Sequence, residues 1–190
     1  MGEDDSRIEG GRWEAASPAM LGSAAELLVA AEFALAEYQV YEPVADDRGV
    51  DLLVDLGAGR HLLVQVKSVR VGIRDSYVFM RKKHFPLEPH RAVALVIFPT
   101  GGDRPEFMLI PAETWRAARP PFADRDYAGR KSDPEYGISV HRSRWREDLA
   151  GWSLREQMKE ITGPLIQDPA DVNGVGEGLH SEPFRPRQEC

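Results

Sequence analysis

The amino-acid sequence predicts a single α/β domain. Three observations lead to this prediction: a long stretch near the start that is rich in alanine and leucine, a series of short apolar runs joined by glycine-rich turns, and a second helical stretch near the end. At 190 residues the chain has room for one domain with a substantial core. We expect an acidic N-terminal tail over 1–17, the α/β domain over 18–162 and a flexible C-terminal tail over 163–190, where Pro and Gly are frequent.

The first part of the domain is predicted to be one helix followed by three strands. Residues 18–38 contain no helix breaker after Gly22 and are apolar nearly all round, so we expect this helix to be buried against a sheet. The three strands are expected at 38–44, 50–56 and 60–69. The last two runs are continuously apolar rather than alternating, which indicates strands that are covered on both faces.

The second part is predicted to add strands and to close with a helix. The expected elements are strands at 76–80, 91–99 and 106–111, a helix at 111–119, a short strand at 135–142 and a helix at 148–161. A proline and Glu113 mark the start of the helix at 111–119. Segment 81–90 is predicted to be a loop or a short helical turn, and 120–137 a loop because it is rich in Pro, Asp and Gly.

The composition is that of an ordinary globular protein, with 42% hydrophobic and 29% charged residues. No apolar run reaches the ~20 residues that span a bilayer, so no membrane partner is expected. The acidic start lacks the basic-then-apolar order of a secretory signal, so export is not expected either. The single cysteine, Cys190, excludes an internal disulfide and a cysteine-based zinc site, and it fits a reducing cytoplasm.

Charge is distributed unevenly along the chain. The net charge is −7, and each end contributes −3: residues 1–19 hold two Lys/Arg against five Asp/Glu, and residues 151–190 hold four against seven. Residues 60–91 instead hold eight basic residues against two acidic ones. A local basic patch attracts a phosphate backbone even in an acidic chain. A solvated basic hairpin would have the same composition, and charge alone does not decide between the two interpretations.

Three polar residues interrupt the most apolar strands of the domain. Asp51 opens the strand at 50–56, and Gln65 and Lys67 lie within the strand at 60–69. Burying such groups costs free energy unless each has a partner or a role. Gln65 and Lys67 are two residues apart, so their side chains share one face, and the tight GAG turn makes the two strands antiparallel neighbours. Asp51 then falls opposite residue 64, within one position, and beside Gln65.

A carboxylate, an amide and an ammonium on one sheet face have the parts for phosphodiester hydrolysis. Glu26 adds a second carboxylate if the first helix packs on the same face. A magnesium ion takes oxygen ligands and keeps several waters, and it lowers the pKa of a bound water. Lys67 beside such an ion would orient that water, act as a base or stabilise transition-state charge. The basic residues nearby are candidates for holding flanking phosphates: Arg70, Arg74, Lys82 and Lys83.

The spacing of these residues resembles the PD-(D/E)XK nuclease superfamily. GVD at 49–51 is followed by QVK at 65–67, and the helix before them carries Gly22 and Glu26 at a G-x-x-x-E spacing. The form most similar to this one is that of the Mrr-type and Holliday-junction-resolvase-like branches. The resemblance covers residues 20–118 and implies a restriction endonuclease-like αβββαβ core, in which a central mixed sheet is flanked by helices.

The resemblance also implies a Mg²⁺- or Mn²⁺-dependent endonuclease that acts on DNA rather than RNA. Glu26, Asp51 and Gln65 match the positions around the metal, with the backbone carbonyl of Val66 beside them, and Lys67 matches the lysine that assists the attacking water. Val50 replaces the proline of the signature, and Gln65 replaces its second acid, which should weaken cation affinity. Dimerisation is common among enzymes of this kind, because two strands need two sites, so a homodimer is also expected.

Two other functions are compatible with the same residues. A binding module on the same fold would retain DNA in a salt-dependent manner without cutting it. A protein-interaction subunit would use the polar strand residues as a buried structural network, and it would show neither metal binding nor nucleic-acid retention. The five histidines show no metal-ligand spacing and are interpreted as surface or packing residues.

Overall fold

The computed structural model describes residues 13–45, 47–72, 74–101, 104–129 and 131–162. The predicted C-terminal tail and most of the predicted N-terminal tail lie outside these ranges. The described end of the N-terminal tail packs against the domain, since the ring of Trp13 contacts that of Phe98 at 5.6 Å between centroids. Its Nε1 also donates a hydrogen bond to the carbonyl of Pro99 at 2.7 Å.

Helix α1 (Pro18–Leu35) begins at an N-cap serine and buries one stripe of side chains. Ser17 accepts a hydrogen bond from the backbone of Met20, and Pro18 occupies the first turn, where a missing N–H costs nothing. Every fourth residue packs on the sheet: Leu21, Ala25, Val29 and Phe33. By length and composition the helix could also cross a membrane, and its outer face leaves Leu27 65% and Leu35 80% exposed. The expectation of burial therefore holds for one face only.

The main sheet has five strands in the order β1-β2-β3-β5-β6. Its strands are β1 (Gln39–Tyr41), β2 (Leu52–Gly57), β3 (Arg60–Val71), β5 (Arg91–Pro99) and β6 (Glu106–Pro111). Neighbours are antiparallel except β3 and β5, which are parallel, so the sheet is mixed, as the sequence predicted. All nine residues of β5 are buried, because helices cover one face of the sheet and a second sheet covers the other.

The connection between β3 and β5 differs from the predicted αβββαβ order. It holds strand β4 (Ser76–Arg81) and a 3₁₀ turn at Lys82–His84, where the expected order has an α-helix. Tyr, Val and Phe favour a strand at 76–80, and two prolines between residues 85 and 90 oppose a helix. Strand β4 joins a small antiparallel sheet of order β4-β8-β7, with β7 at Phe122–Arg125 and β8 at Glu135–Val140.

Three other predicted segments are corrected. Strand β7 lies where a loop was expected, because its Pro- and Asp-rich sequence becomes a strand only by pairing with β8. The helix expected at 111–119 is a 3₁₀ helix, Ala112–Ala117. The closing helix is divided into α2 (Trp145–Asp148), a 3₁₀ turn (Ala150–Trp152) and α3 (Leu154–Thr162).

The side chains of β3 alternate between the two faces of the sheet, so its buried side chains enter two different cores. Leu62, Val64 and Val66 face the core under α1 and α3. Val69 and Val71 face the core beneath the second sheet. Gln65 and Lys67 share the parity of Val69, so they point toward the second sheet and away from α1.

Candidate active site

Asp51 is fixed where strand β2 meets β3. Leu52 pairs with Val64, so Asp51, one residue before the strand, lies opposite Gln65. The sequence predicted a position opposite residue 64, within one residue, and the observed pairing agrees. Its backbone N–H donates to the carbonyl of Val64 at 2.9 Å. Its side-chain Oδ2 accepts a hydrogen bond from the backbone N–H of Val66 at 2.6 Å. This last contact holds the carboxylate at the edge of β3, one residue before β2 begins.

The carbonyl of Val66 faces the same edge as the Asp51 carboxylate. In an extended strand the N–H and C=O of one residue point to the same side. The N–H of Val66 reaches Asp51, so its carbonyl is directed to that side as well. The carbonyl oxygen of Val66, which the family resemblance implies as a metal ligand, therefore lies on the side of the strand that holds Asp51.

Gln65 and Lys67 line a cleft of about 520 Å³ between β3 and β4. The Oε1 atom of Gln65 is buried and has no hydrogen-bond partner among the described residues. An unpaired buried acceptor costs free energy, so this atom is suited to a ligand that supplies positive charge. The other side of the amide lies against Gly49, another residue of the cleft.

Helix α1, which carries Glu26, packs on the face of the sheet opposite to Gln65 and Lys67, so the condition that the sequence analysis set for Glu26 is not met. Glu26 is exposed on α1 and does not line the cleft. Partial burial raises the pKa of the Glu26 carboxyl, the negative charges of Asp51 and Glu42 raise it further, and Lys67 lowers it. The charges of Asp51 and Lys67 therefore act on Glu26, although Glu26 has no contact with the cleft. The structure thus places Asp51, Gln65 and Lys67 on one face, with Glu26 at its margin.

The oxygen atoms here fit a hard divalent cation better than a soft one. Within the described residues, no group of three or more His, Cys, Asp or Glu side chains is placed to hold a metal. Magnesium and manganese accept fewer protein ligands, because they keep several of their waters. Asp51, Gln65 Oε1 and the Val66 carbonyl would supply the inner oxygens, and Glu26 would supply a second carboxylate.

Three of the four residues predicted to contact phosphate have partners within the protein. Arg70 lies on the α1 side of the sheet and donates to the carbonyls of Trp13 and Ala16, at 2.8 and 2.6 Å. Lys82 is held between the carboxylates of Asp124 and Asp126, each at 2.5 Å. Lys83 pairs with Asp133 at 3.2 Å.

Arg74 is exposed at a second cleft, which adjoins the first because both are lined by Tyr77 and Val78. Arg74 therefore stays a candidate for holding a flanking phosphate. Arg70, Lys82 and Lys83 stay predictions too, and at each of them a phosphate would compete with a protein partner.

The sequence did not identify three residues that line the first cleft: Tyr77, Phe79 and Arg81. The strand at 76–80 was predicted, and its alternation places Tyr77, Phe79 and Arg81 on one face. The sequence did not predict where this strand lies in the fold, because β4 belongs to a second sheet whose other strands come 40 or more residues later.

No protein-family model and no curated protein matches this sequence. Among solved structures, the chain is similar to a bacterial homing endonuclease, I-Ssp6803I, with a TM-score of 0.49 and 16% identity over 77% of this chain and 91% of that one. It is also similar to Hjc, a Holliday junction resolvase from the archaeal hyperthermophile Archaeoglobus fulgidus. That likeness has a TM-score of 0.44 and 12% identity, and it covers 77% of this chain and 98% of the other. At these identities and scores neither likeness indicates what this chain binds or cleaves.

Proposed function

We propose that this chain is a divalent-metal-dependent endonuclease that hydrolyses phosphodiester bonds in DNA. The observation that carries the proposal is the buried, unpartnered Oε1 of Gln65, which lies beside Asp51 on the face where Lys67 projects. The choice of DNA over RNA follows the resemblance in the GVD, QVK and helix motifs. The expected homodimer and cytoplasmic location stay predictions.

Each residue has a role that follows from its contacts. When bound, Mg²⁺ or Mn²⁺ supplies Lewis acidity toward the phosphate and lowers the pKa of a coordinated water. Asp51 is oriented by the Val66 N–H, so its carboxylate needs no rearrangement to act as a ligand. Lys67 donates hydrogen bonds from its ammonium to the attacking water or to the phosphate oxygens, where charge grows in the transition state. Gln65 contributes its amide oxygen, and Glu26 adds negative charge at the margin of the site.

Plasmid nicking tests these assignments directly. Supercoiled plasmid is incubated with Mg²⁺ or Mn²⁺ and the purified chain, the Lys67→Ala variant, or a Lys159→Ala control on α3, outside the cleft. We expect Lys67→Ala to lose about 100-fold or more of the nicking rate, the size of effect for removing a group that acts on the transferred proton or the developing charge. The control should cut like wild type, and circular dichroism should show both variants folded. Equal cutting by wild type and Lys67→Ala would contradict the proposal.

A second candidate function is a DNA-binding module without turnover. It is favoured by the small number of carboxylates near Gln65, since only Glu26 and Asp51 contribute negative charge among the predicted ligands. Such a module would retain DNA on a column at low salt and release it as salt rises. Retention with no metal-dependent cutting, in wild type as in Lys67→Ala, would favour this candidate over the nuclease.

A further inference from the structure

Phe79 exposes an aromatic ring at the edge of the cleft. Its side chain is 47% exposed, while its neighbours on β4, Val78 and Met80, turn into the second core. Within the described part of the chain, no other aromatic ring stacks on it. An exposed phenyl ring gives up the free energy of burial, and its face is open to a flat partner.

The adjacent aromatic residue, Tyr77, is engaged within the second sheet. Its hydroxyl donates to Glu135 at 3.0 Å, and the guanidinium of Arg125 lies 4.3 Å from the centre of its ring. Gly137 makes this possible, because a Cβ at that position would collide with the Tyr77 ring. Gly137 is also the residue paired with Phe79 in the β4–β8 ladder, so Phe79 has no side chain directly opposite it.

The cleft around Phe79 has the size and charge of a nucleotide site. Its volume of about 520 Å³ falls within the ~300–1,000 Å³ of small-molecule pockets. Lys67 and Arg81 supply positive charge against one carboxylate, that of Asp47, and Arg81 projects from the same face of β4 as Phe79. The ion pair of Arg81 with Asp133 is 3.8 Å long and half exposed, so a phosphate can compete for the guanidinium.

We infer that the cleft binds an unpaired nucleotide, with its base stacked on Phe79 and its phosphate beside Arg81. A base within a duplex already has neighbours on both faces and cannot place one of them on a side chain. A single-stranded or extruded base can, and stacking on aromatic side chains is the general means of holding one. The inference rests on the proposed nuclease function and specifies the form of nucleic acid that the site takes.

Fluorescence of 2-aminopurine tests the inference without any need for cutting, since this base loses fluorescence when it stacks. Wild type is titrated in EDTA with a single-stranded oligonucleotide that carries one 2-aminopurine, and with the same oligonucleotide as a duplex. We expect quenching and tighter binding for the single strand. Phe79→Leu keeps an apolar side chain without a ring, and it should abolish the quenching and weaken single-strand binding by about 5- to 100-fold.

Two further variants complete the design. Phe79→Trp should restore quenching, and Tyr41→Leu should behave as wild type, because Tyr41 is an equally exposed aromatic residue (53%) outside the cleft. Quenching that is unchanged in Phe79→Leu, or equal for single strand and duplex, would overturn the inference. If plasmid nicking still depends on Lys67 in that case, the nuclease proposal stands and the stacking site alone fails.

Discussion

Gly49 lies against the Gln65 amide in a backbone conformation that favours glycine. Its φ is +67°, and a Cβ built there would lie 2.6 Å from Nε2 of Gln65. The glycine of the GVD motif thus has a steric role beside the chemical role proposed for Asp51. Because the amide is the mobile end of its side chain, a larger residue at 49 would displace it rather than break the fold.

Substitution of Gly49 separates this steric role from backbone strain. Gly59, in the β2–β3 turn, has a similar φ of +74°, but a Cβ added there would meet nothing within 4 Å. Gly49→Ala and Gly59→Ala should each lose about 1–2 kcal/mol of stability in urea unfolding, the cost of left-handed backbone for a residue with a side chain. Nicking should fall by about 10- to 100-fold in Gly49→Ala alone, because only there is the amide of Gln65, a proposed metal ligand, moved. Equal nicking by the two variants would show that the position of the Gln65 amide is unimportant.

Among single residues, the sequence predicts the relative positions of those that belong to one hairpin. Asp51, Gln65 and Lys67 follow from strand alternation and a short turn, which are local properties. The sequence shows that Arg70, Lys82 and Lys83 are charged, but it does not show which protein groups they contact. Their partners are remote in sequence: Trp13 and Ala16 for Arg70, and carboxylates of residues 124–133 for the two lysines.

At the scale of elements, Asp75 fastens the start of β4 to the end of β8. Its carboxylate accepts a hydrogen bond from the backbone N–H of Arg142 at 2.9 Å and faces Nδ1 of His141 at 3.3 Å. The Arg142 N–H, and then His141, hold the pKa of the Asp75 carboxyl below its ordinary value of 3.8. One side chain thus helps to place the strand that carries Phe79 and Arg81 at the cleft.

The stability that Asp75 contributes should depend on pH in a defined direction. Because its folded-state pKa is depressed, the contribution is present above pH 3.8 and is lost as the pH falls through the folded-state pKa. Asp75→Ala should therefore unfold at lower urea than wild type at pH 7, and the difference between the two midpoints should shrink as the pH falls below 3.8. Asp75→Asn keeps an acceptor for the Arg142 N–H and should fall between them. A difference that grows on acidification would contradict this linkage.

The elements that the sequence predicted well are those whose pattern is local and strong. Helix α1 and the apolar runs of β2, β3 and β5 have compositions that tertiary contacts do not override. Strand β7 and the division of the closing helix were missed because they depend on remote partners: β8 pairs with β7, and Met108 of β6 forms a bridge with Ser153 between the helical pieces. The second sheet as a whole could not be predicted, since no local signal says which strands leave the main sheet.

At the scale of the whole molecule, the main sheet is shared by two cores. Helices α1 and α3 cover one face, and the second sheet with the 3₁₀ helix Ala112–Ala117 covers the other. From the continuously apolar sequences of its strands, we predicted that both faces of the sheet are covered, and this prediction is confirmed. The cleft is lined by residues of β3 in the main sheet and of β4 in the second sheet, so its shape depends on how the two sheets pack and not on the hairpin alone.

Trp115 joins the second sheet to the main one, and its loss should be felt by the whole domain. The ring is 1% exposed and meets Phe85 and Phe122 edge-on, with centroids 5.8 and 5.3 Å away. Its Nε1 donates to the carbonyl of Gly137 at 3.2 Å. Trp115→Ala should cost about 3–5 kcal/mol. Trp115→Phe, which keeps a ring but leaves that carbonyl without its donor, should cost about 1–3 kcal/mol.

Phe33→Ala provides the matched change in the other core, because Phe33 is a fully buried ring on α1. Since both cores rest on the same five strands, each variant should lower one common transition by a similar amount. Urea unfolding followed in parallel by far-UV circular dichroism and by tryptophan fluorescence gives the test. Coincident curves are expected for wild type and for both variants. If Trp115→Ala instead shifted the fluorescence transition and left the dichroism transition in place, the second sheet would be an independent layer, and the cleft could open without unfolding the main sheet.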